Sequence, residues 1–92
     1  MPRTRVVFYR EHDGSVPVLD WLRKLPEKAR DKCVVRVERL GELGHELRRP
    51  EADYLRDGIY ELRTHYQTIN YRILYFFHGR EIVVLAHALT KE

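Results

Sequence analysis

Cysteine, methionine and tryptophan occur once each among these 92 residues. A single thiol, Cys33, excludes an internal disulfide, so the sequence predicts a reducing compartment, the cytoplasm. Nor can one cysteine found a structural zinc site, which takes about four ligands at tight spacings. The five histidines (His12, His45, His65, His78, His87) are scattered rather than clustered, and no metal or cofactor is expected. No run approaches the ~18 apolar residues of a membrane span. The opening "MPRTRVVFYREHDG" lacks the apolar stretch of a signal peptide. Repeats, low-complexity segments and linkers are also missing, so one domain over residues 1–92 is expected. An excess of one charge is scarce too: 17 basic residues meet 14 acidic ones, for a formal charge of +3. That permits an anionic partner without demanding one. From Arg48 to Arg72, the arginines Arg48, Arg49, Arg56, Arg63 and Arg72 face Glu51, Asp53, Asp57 and Glu61. A nucleic-acid site would therefore be a local arrangement of arginines, not a broad basic face.

What is present is 43% hydrophobic and 34% charged, a globular balance. "RVVFYRE", Arg5 to Glu11, reads as a first strand, and "HDGS" breaks it. "SVPVLDWLRKL" reads as a short helix capped by Ser15, with Pro17 in its first turn. Pro26 opens a second helix, "PEKARDKCVVRVERLGELG". Ala29, Cys33, Val37 and Leu40 fall at i, i+4, i+8 and i+11 on one face, and Val34 and Leu43 widen that stripe. Lys28, Lys32, Arg36 and Arg39 fall mainly away from it. Gly41 and Gly44 weaken the helix and end it. "HELRRPEADYLRDG" reads as a loop leading to a turn at Asp57-Gly58. Three strands follow, Ile59 to His65, Ile69 to Phe77 and Glu81 to Leu89, the last two joined by "HGR". The order β-α-α-β-β-β predicts an α+β fold, a small antiparallel sheet with both helices on one face.

Side chains alternate between the faces of a strand. Tyr71, Ile73, Tyr75 and Phe77 make the fuller apolar row and belong on the helices. Arg63 and Arg72 then stand on the open face, as close neighbours or directly opposite across a hairpin. Two like charges so opposed destabilise by a few tenths to about 1 kcal/mol unless an acid or a bound anion lies between them. Two readings follow. Glu61, two residues from Arg63 on the same face, could pair with either arginine in an ordinary surface ion pair. Alternatively, the two guanidinium groups form a phosphate clamp, since each matches two phosphate oxygens at once. His87 falls on the apolar row Val83, Leu85, His87, Leu89. That position suits a core histidine, or a proton donor and acceptor beside Arg72. Tyr75 is a packing residue or a platform for an RNA base. Cys33, on the helical stripe, acts as a small hydrophobe.

"LRDGIYELR", "YRILYFF" and "IVVLAHALTK" resemble, in that order, three motifs of the RelE/HigB superfamily of toxins from type II toxin–antitoxin systems. The phage Gp49-like HigB branch is the nearest in pattern. The resemblance covers Leu55 to Lys91. It implies a RelE-like fold and a ribosome-dependent mRNA endonuclease that works without a metal. Attack by a ribose 2′-OH on the adjacent phosphate would leave a 2′,3′-cyclic end. It also implies three partners, the ribosome, mRNA and a silencing antitoxin, in this branch usually a HigA-like helix-turn-helix protein. Carried over by motif, Arg63 of "ELR" and Arg72 of "YR" hold the scissile phosphate. His87 is the general acid or base, and Lys91 a phosphate or rRNA contact. Arg48, Arg49, Arg56, His65 and Tyr75 are the RNA-contact candidates. "AHALTKE" departs from the family's C-terminal motif at Ala88, Leu89 and Glu92. That departure supports an alternative, a non-catalytic, toxin-like module that only binds an antitoxin.

Overall fold

The computed structural model describes residues 3–92. Strand β1 (Arg5–Phe8) leads to helices α1 (Pro17–Lys24) and α2 (Glu27–Leu43). A 3-10 turn at Gly44–Glu46 leads to β2 (Ala52–Arg56), β3 (Ile59–Tyr66), β4 (Ile69–His78) and β5 (Ile82–Lys91). The result is an α+β fold, two helices and a five-stranded sheet in the order β1-β5-β4-β3-β2.

The number and direction of the strands depart from the sequence reading in two ways. The segment read as a loop contains β2, an edge strand antiparallel to β3. Its amides gain partners on one side only, so five residues without apolar alternation suffice. The sheet is also mixed, because β1 runs parallel to β5. Nothing local in "RVVF" encodes that direction; it follows from where α1 and α2 carry the chain.

Both helices pack on one sheet face. The buried core there comprises Val18 and Leu22 of α1, Ala29, Cys33 and Leu40 of α2, and Leu62, Tyr71, Ile73, Tyr75, Val83 and Leu85 of the sheet, among others. The α2 stripe is as expected except that Val34 is exposed. Ser15 caps nothing: α1 begins with Val16 at its N-cap, without a side-chain cap. Instead the Ser15 amide donates to Asp13 Oδ1 (2.9 Å), which holds that carboxyl below its usual range. Helix α2 runs through Gly41 because β1 presses there. The Thr4 amide donates to Gly41 O (2.9 Å), and a Cβ on Gly41 would come within 3.3 Å of Val6 Cγ2. Gly44 ends the helix with φ +53°, and a Cβ there would collide with Thr4 Oγ1.

One irregularity decides where the C-terminal strand points. In β5, Leu85 pairs with Tyr75 and His87 pairs with Leu74, so Ala86 is an extra, bulged residue. The bulge cuts the predicted row Val83, Leu85, His87, Leu89 in two. Val83 and Leu85 stay in the core, whereas His87 and Leu89 turn to the open face beside Leu74 and Arg72. His87 is therefore an exposed histidine, not a core one.

Candidate phosphate site on the open face of the sheet

Arg63 and Arg72 are directly opposite each other across the β3–β4 ladder. The turn Gln67-Thr68, with Gln67 at φ +56°, fixes that register. Glu61 resolves the like-charge clash. One carboxylate oxygen accepts from Arg63 Nε (2.8 Å) and the other from Arg72 Nη1 (3.1 Å). Glu61 is only 4% exposed, and a carboxylate so buried is tolerable only when charged donors satisfy it. Asp53, opposite Glu61 on β2, extends the chain of charges. Its Oδ2 accepts from Arg63 Nη2 (3.1 Å) and its Oδ1 from Arg49 Nε (3.0 Å). The Arg49 hydrogen bond is the main cause of a lowered Asp53 pKa, and Asp53 in turn raises that of Arg49.

Five N–H donors stand on each guanidinium. The bonds formed among the described residues engage Arg63 through Nε and Nη2 and Arg72 through Nη1. Arg63 Nη1, with Arg72 Nε and Nη2, is left for a ligand. Both side chains are about one-third exposed, at 39% and 33%. They line a groove of about 430 Å³ with Arg36, Pro50, His65 and Asn70. The groove exists because β2 stops pairing at Ala52–Leu62, apart from one further bond from the Arg63 amide to Glu51 O (2.8 Å). His65 is held there by a hydrogen bond between Nδ1 and Asn70 Oδ1 (3.0 Å). Such a site offers guanidinium groups fixed by carboxylates and an imidazole within one concave surface. That suits an oxyanion held in bidentate fashion. Among the described residues, no three His, Cys, Asp or Glu side chains converge to hold a metal ion.

A model of the family described as phage-derived protein Gp49-like (DUF891) matches residues 20–92. The chain belongs to the Gp49-like family. The match takes in α1 from Asp20 onward, α2 and every strand except β1, and thus the whole groove. Among curated proteins, none matches this Gp49-like chain.

The structure brings some of the residues singled out from the sequence together and leaves others apart. Arg63, Arg72 and His65 share the groove, and Arg49 adjoins it through Asp53. His87 stands one row away, opposite Leu74, and Lys91 lies opposite Asn70; both are exposed on the same face. Arg48 and Arg56 are not brought there. Arg48 donates to His45 O (2.6 Å) and lines a separate hollow near Tyr54 and Tyr60. Arg56 pairs with Asp57 (3.4 Å) at the opposite end of the hairpin. Tyr75 is a correction of a different kind. At 1% exposure, stacked on Tyr60 with centroids 5.3 Å apart, it presents no face to a base. Burial pushes its hydroxyl pKa up to about 12.

Two residues have a larger part in the site than the sequence reading gives them. Glu61 was read as a possible partner of either arginine and is the bridge between both. The signal was its i, i+2 spacing from Arg63, which puts both on one face. Arg36 was read as lying off the apolar stripe of α2, yet it lines the groove. Only the packing of α2 over β3 could reveal that. No described helix is long and apolar enough to cross a membrane.

Proposed function

We propose that this Gp49-like chain is the toxin of a type II toxin–antitoxin system and cuts mRNA on the ribosome. Membership of a phage-derived, toxin-like family of RelE/HigB type supports that reading. The single observation that carries it is the directly opposed pair Arg63 and Arg72, held apart by Glu61 beside an open groove. A phosphodiester in that groove would accept from the donors that Glu61 and Asp53 leave free. As the ribose 2′-oxygen forms its bond to phosphorus and the bond to the 5′-oxygen breaks, the phosphoryl oxygens gain negative charge. Fixed guanidinium groups stabilise that charge without reorganising. A base must take the 2′-OH proton and an acid must protonate the 5′-oxygen. By register, His65 and His87 are the imidazoles nearest the arginines on this face. Lys91 adds charge for phosphate or rRNA. A cognate antitoxin, HigA-like with a helix-turn-helix, would silence the protein in the cytoplasm.

Expression of the full chain in a bacterium, with and without Arg72→Ala, tests the reading. Growth arrest and mRNA cleavage should fall by about 10²–10³-fold in the variant, the usual loss when one transition-state donor is removed. Cleavage that persists undiminished would overturn the mechanism. A second reading is favoured by the pairing of both arginines with internal carboxylates, which already offset part of their charge, and by the position of His87 outside the groove. On that reading the protein is a non-catalytic module that only binds an antitoxin. Full antitoxin binding with no effect on translation, in wild type and variant alike, would establish it.

A further inference from the structure

The groove holding Arg63 and Arg72 does not end at the sheet. It shares Arg36, Pro50, Thr64 and His65 with a second groove of about 600 Å³ that runs along α2. Lys32, Arg36 and Arg39 border that second groove at i, i+4 and i+7, one edge of the helix. Joined, the two form one trough lined by five cations (Lys32, Arg36, Arg39, Arg63, Arg72) and two carboxylates (Asp31, Glu51). A net positive trough with exposed Val35 along its wall fits a chain that carries regular negative charge and apolar rings between.

Arg36 occupies the junction. Arg39 is the principal partner of Glu51, through hydrogen bonds of 2.5 and 2.9 Å. That bond is the main cause of a lowered Glu51 pKa. Arg36 meets the same carboxylate only at 3.4 Å, and among the described residues it makes no side-chain hydrogen bond. Its side chain is 28% exposed, so it is anchored near Glu51 while its donors remain available in the trough.

We propose that Arg36 holds the phosphate next to the one between Arg63 and Arg72. The trough then takes at least two successive phosphates of a single strand and leads it along α2. This rests on the phosphate-clamp reading above, and the test separates the two. Uncleavable 2′-deoxy ligands, a dinucleotide with one phosphate and a trinucleotide with two, are titrated into the full chain between 50 and 200 mM salt, by nuclear magnetic resonance. Arg36→Gln should weaken the trinucleotide and flatten its log K against log salt by about 0.7, the share of one phosphate contact on a single strand. It should leave the dinucleotide unchanged. Arg72→Gln should weaken both. If Arg36→Gln leaves the trinucleotide untouched, or weakens both ligands alike, while Arg72→Gln weakens both, the inference is wrong and the clamp stands. If Arg72→Gln alters neither, the clamp reading fails and the inference with it. Should Arg36→Gln not fold, the wild-type Arg36 side-chain Nε resonance decides. It should shift with the trinucleotide and stay in place with the dinucleotide; the same response to both, or to neither, overturns the inference.

Discussion

The β3–β4 hairpin has two faces built from alternate residues of the same strands, and they are held by different physics. Toward the helices, Leu62, Tyr71, Ile73 and Tyr75 are at most 3% exposed. Non-directional burial holds that face, at roughly 25 cal/mol per Å² of apolar surface removed from water. On the other face, Glu61, Arg63 and Arg72 contribute little area. They are held by two directional bonds to Glu61, and a third, from Arg63 to Asp53, completes the network. The core face accepts apolar substitutions of similar volume. The open face accepts only changes that keep its charges paired. Rigid packing on one side thus fixes the positions of guanidinium groups on the other, the arrangement a binding site needs.

The largest effect expected from this contrast is at Ile73, 1% exposed on the core face. Ile73→Ala should destabilise by about 2–5 kcal/mol, through lost burial and the cavity left behind. Arg63→Ala, two residues from Glu61 on the open face, should cost less, about 1–2 kcal/mol, since Arg63 is part-exposed and Arg72 still pairs with the buried Glu61. Urea unfolding of both variants measures the difference, and equal losses would erase the distinction between the faces.

Of intermediate size is Glu61→Gln, which leaves Arg63 and Arg72 opposed without their shared carboxylate. A loss of about 1–3 kcal/mol is expected, the cost of charged donors left without their acceptor. Inorganic phosphate should then raise the melting temperature of the variant more than that of the wild type, because the anion replaces the missing charge. Equal shifts in calorimetry would mean that the arginines do not share one anion site.

The smallest effect belongs to pH. Tyr75 has a folded pKa of about 12 against an ordinary value of 10.0. The raised value means that the unfolded chain loses this proton first. Its contribution to stability is intact below pH 10 and declines as pH rises toward 12. Tyr75→Phe should therefore flatten the fall in melting temperature across that window and leave it unchanged at pH 7. An identical alkaline profile would place the titrating group elsewhere.

Much of the open face was legible from strand periodicity, because a period of two assigns Glu61, Arg63 and Arg72 to one side without any knowledge of the helices. The hairpin register was nearly legible too. The residues His65 to Thr68 allow only a short turn, and a short turn brings position 63 opposite position 72. His87 escaped the same logic. Alternation assumes an unbroken strand, and the Ala86 bulge inverts the faces of everything after it. β2 escaped because "ADYLR" pairs along one edge only, and its small buried Ala52 gives no apolar signal. Arg36 escaped because helical periodicity separates apolar from polar faces but does not say which polar edge a sheet approaches.

The sequence by itself determined the helices, the three C-terminal strands, the helix stop at Gly44 and the outward pair of arginines. These depend on contacts within a few residues or on a repeating period. The tertiary structure alone decided that β1 runs parallel to β5, that a fourth antiparallel edge strand forms, and that β5 turns His87 outward. It alone brought Arg36 from α2 to the groove of Arg63 and Arg72. Each of these depends on which surfaces meet after the chain has folded back on itself, and no local pattern carries that information.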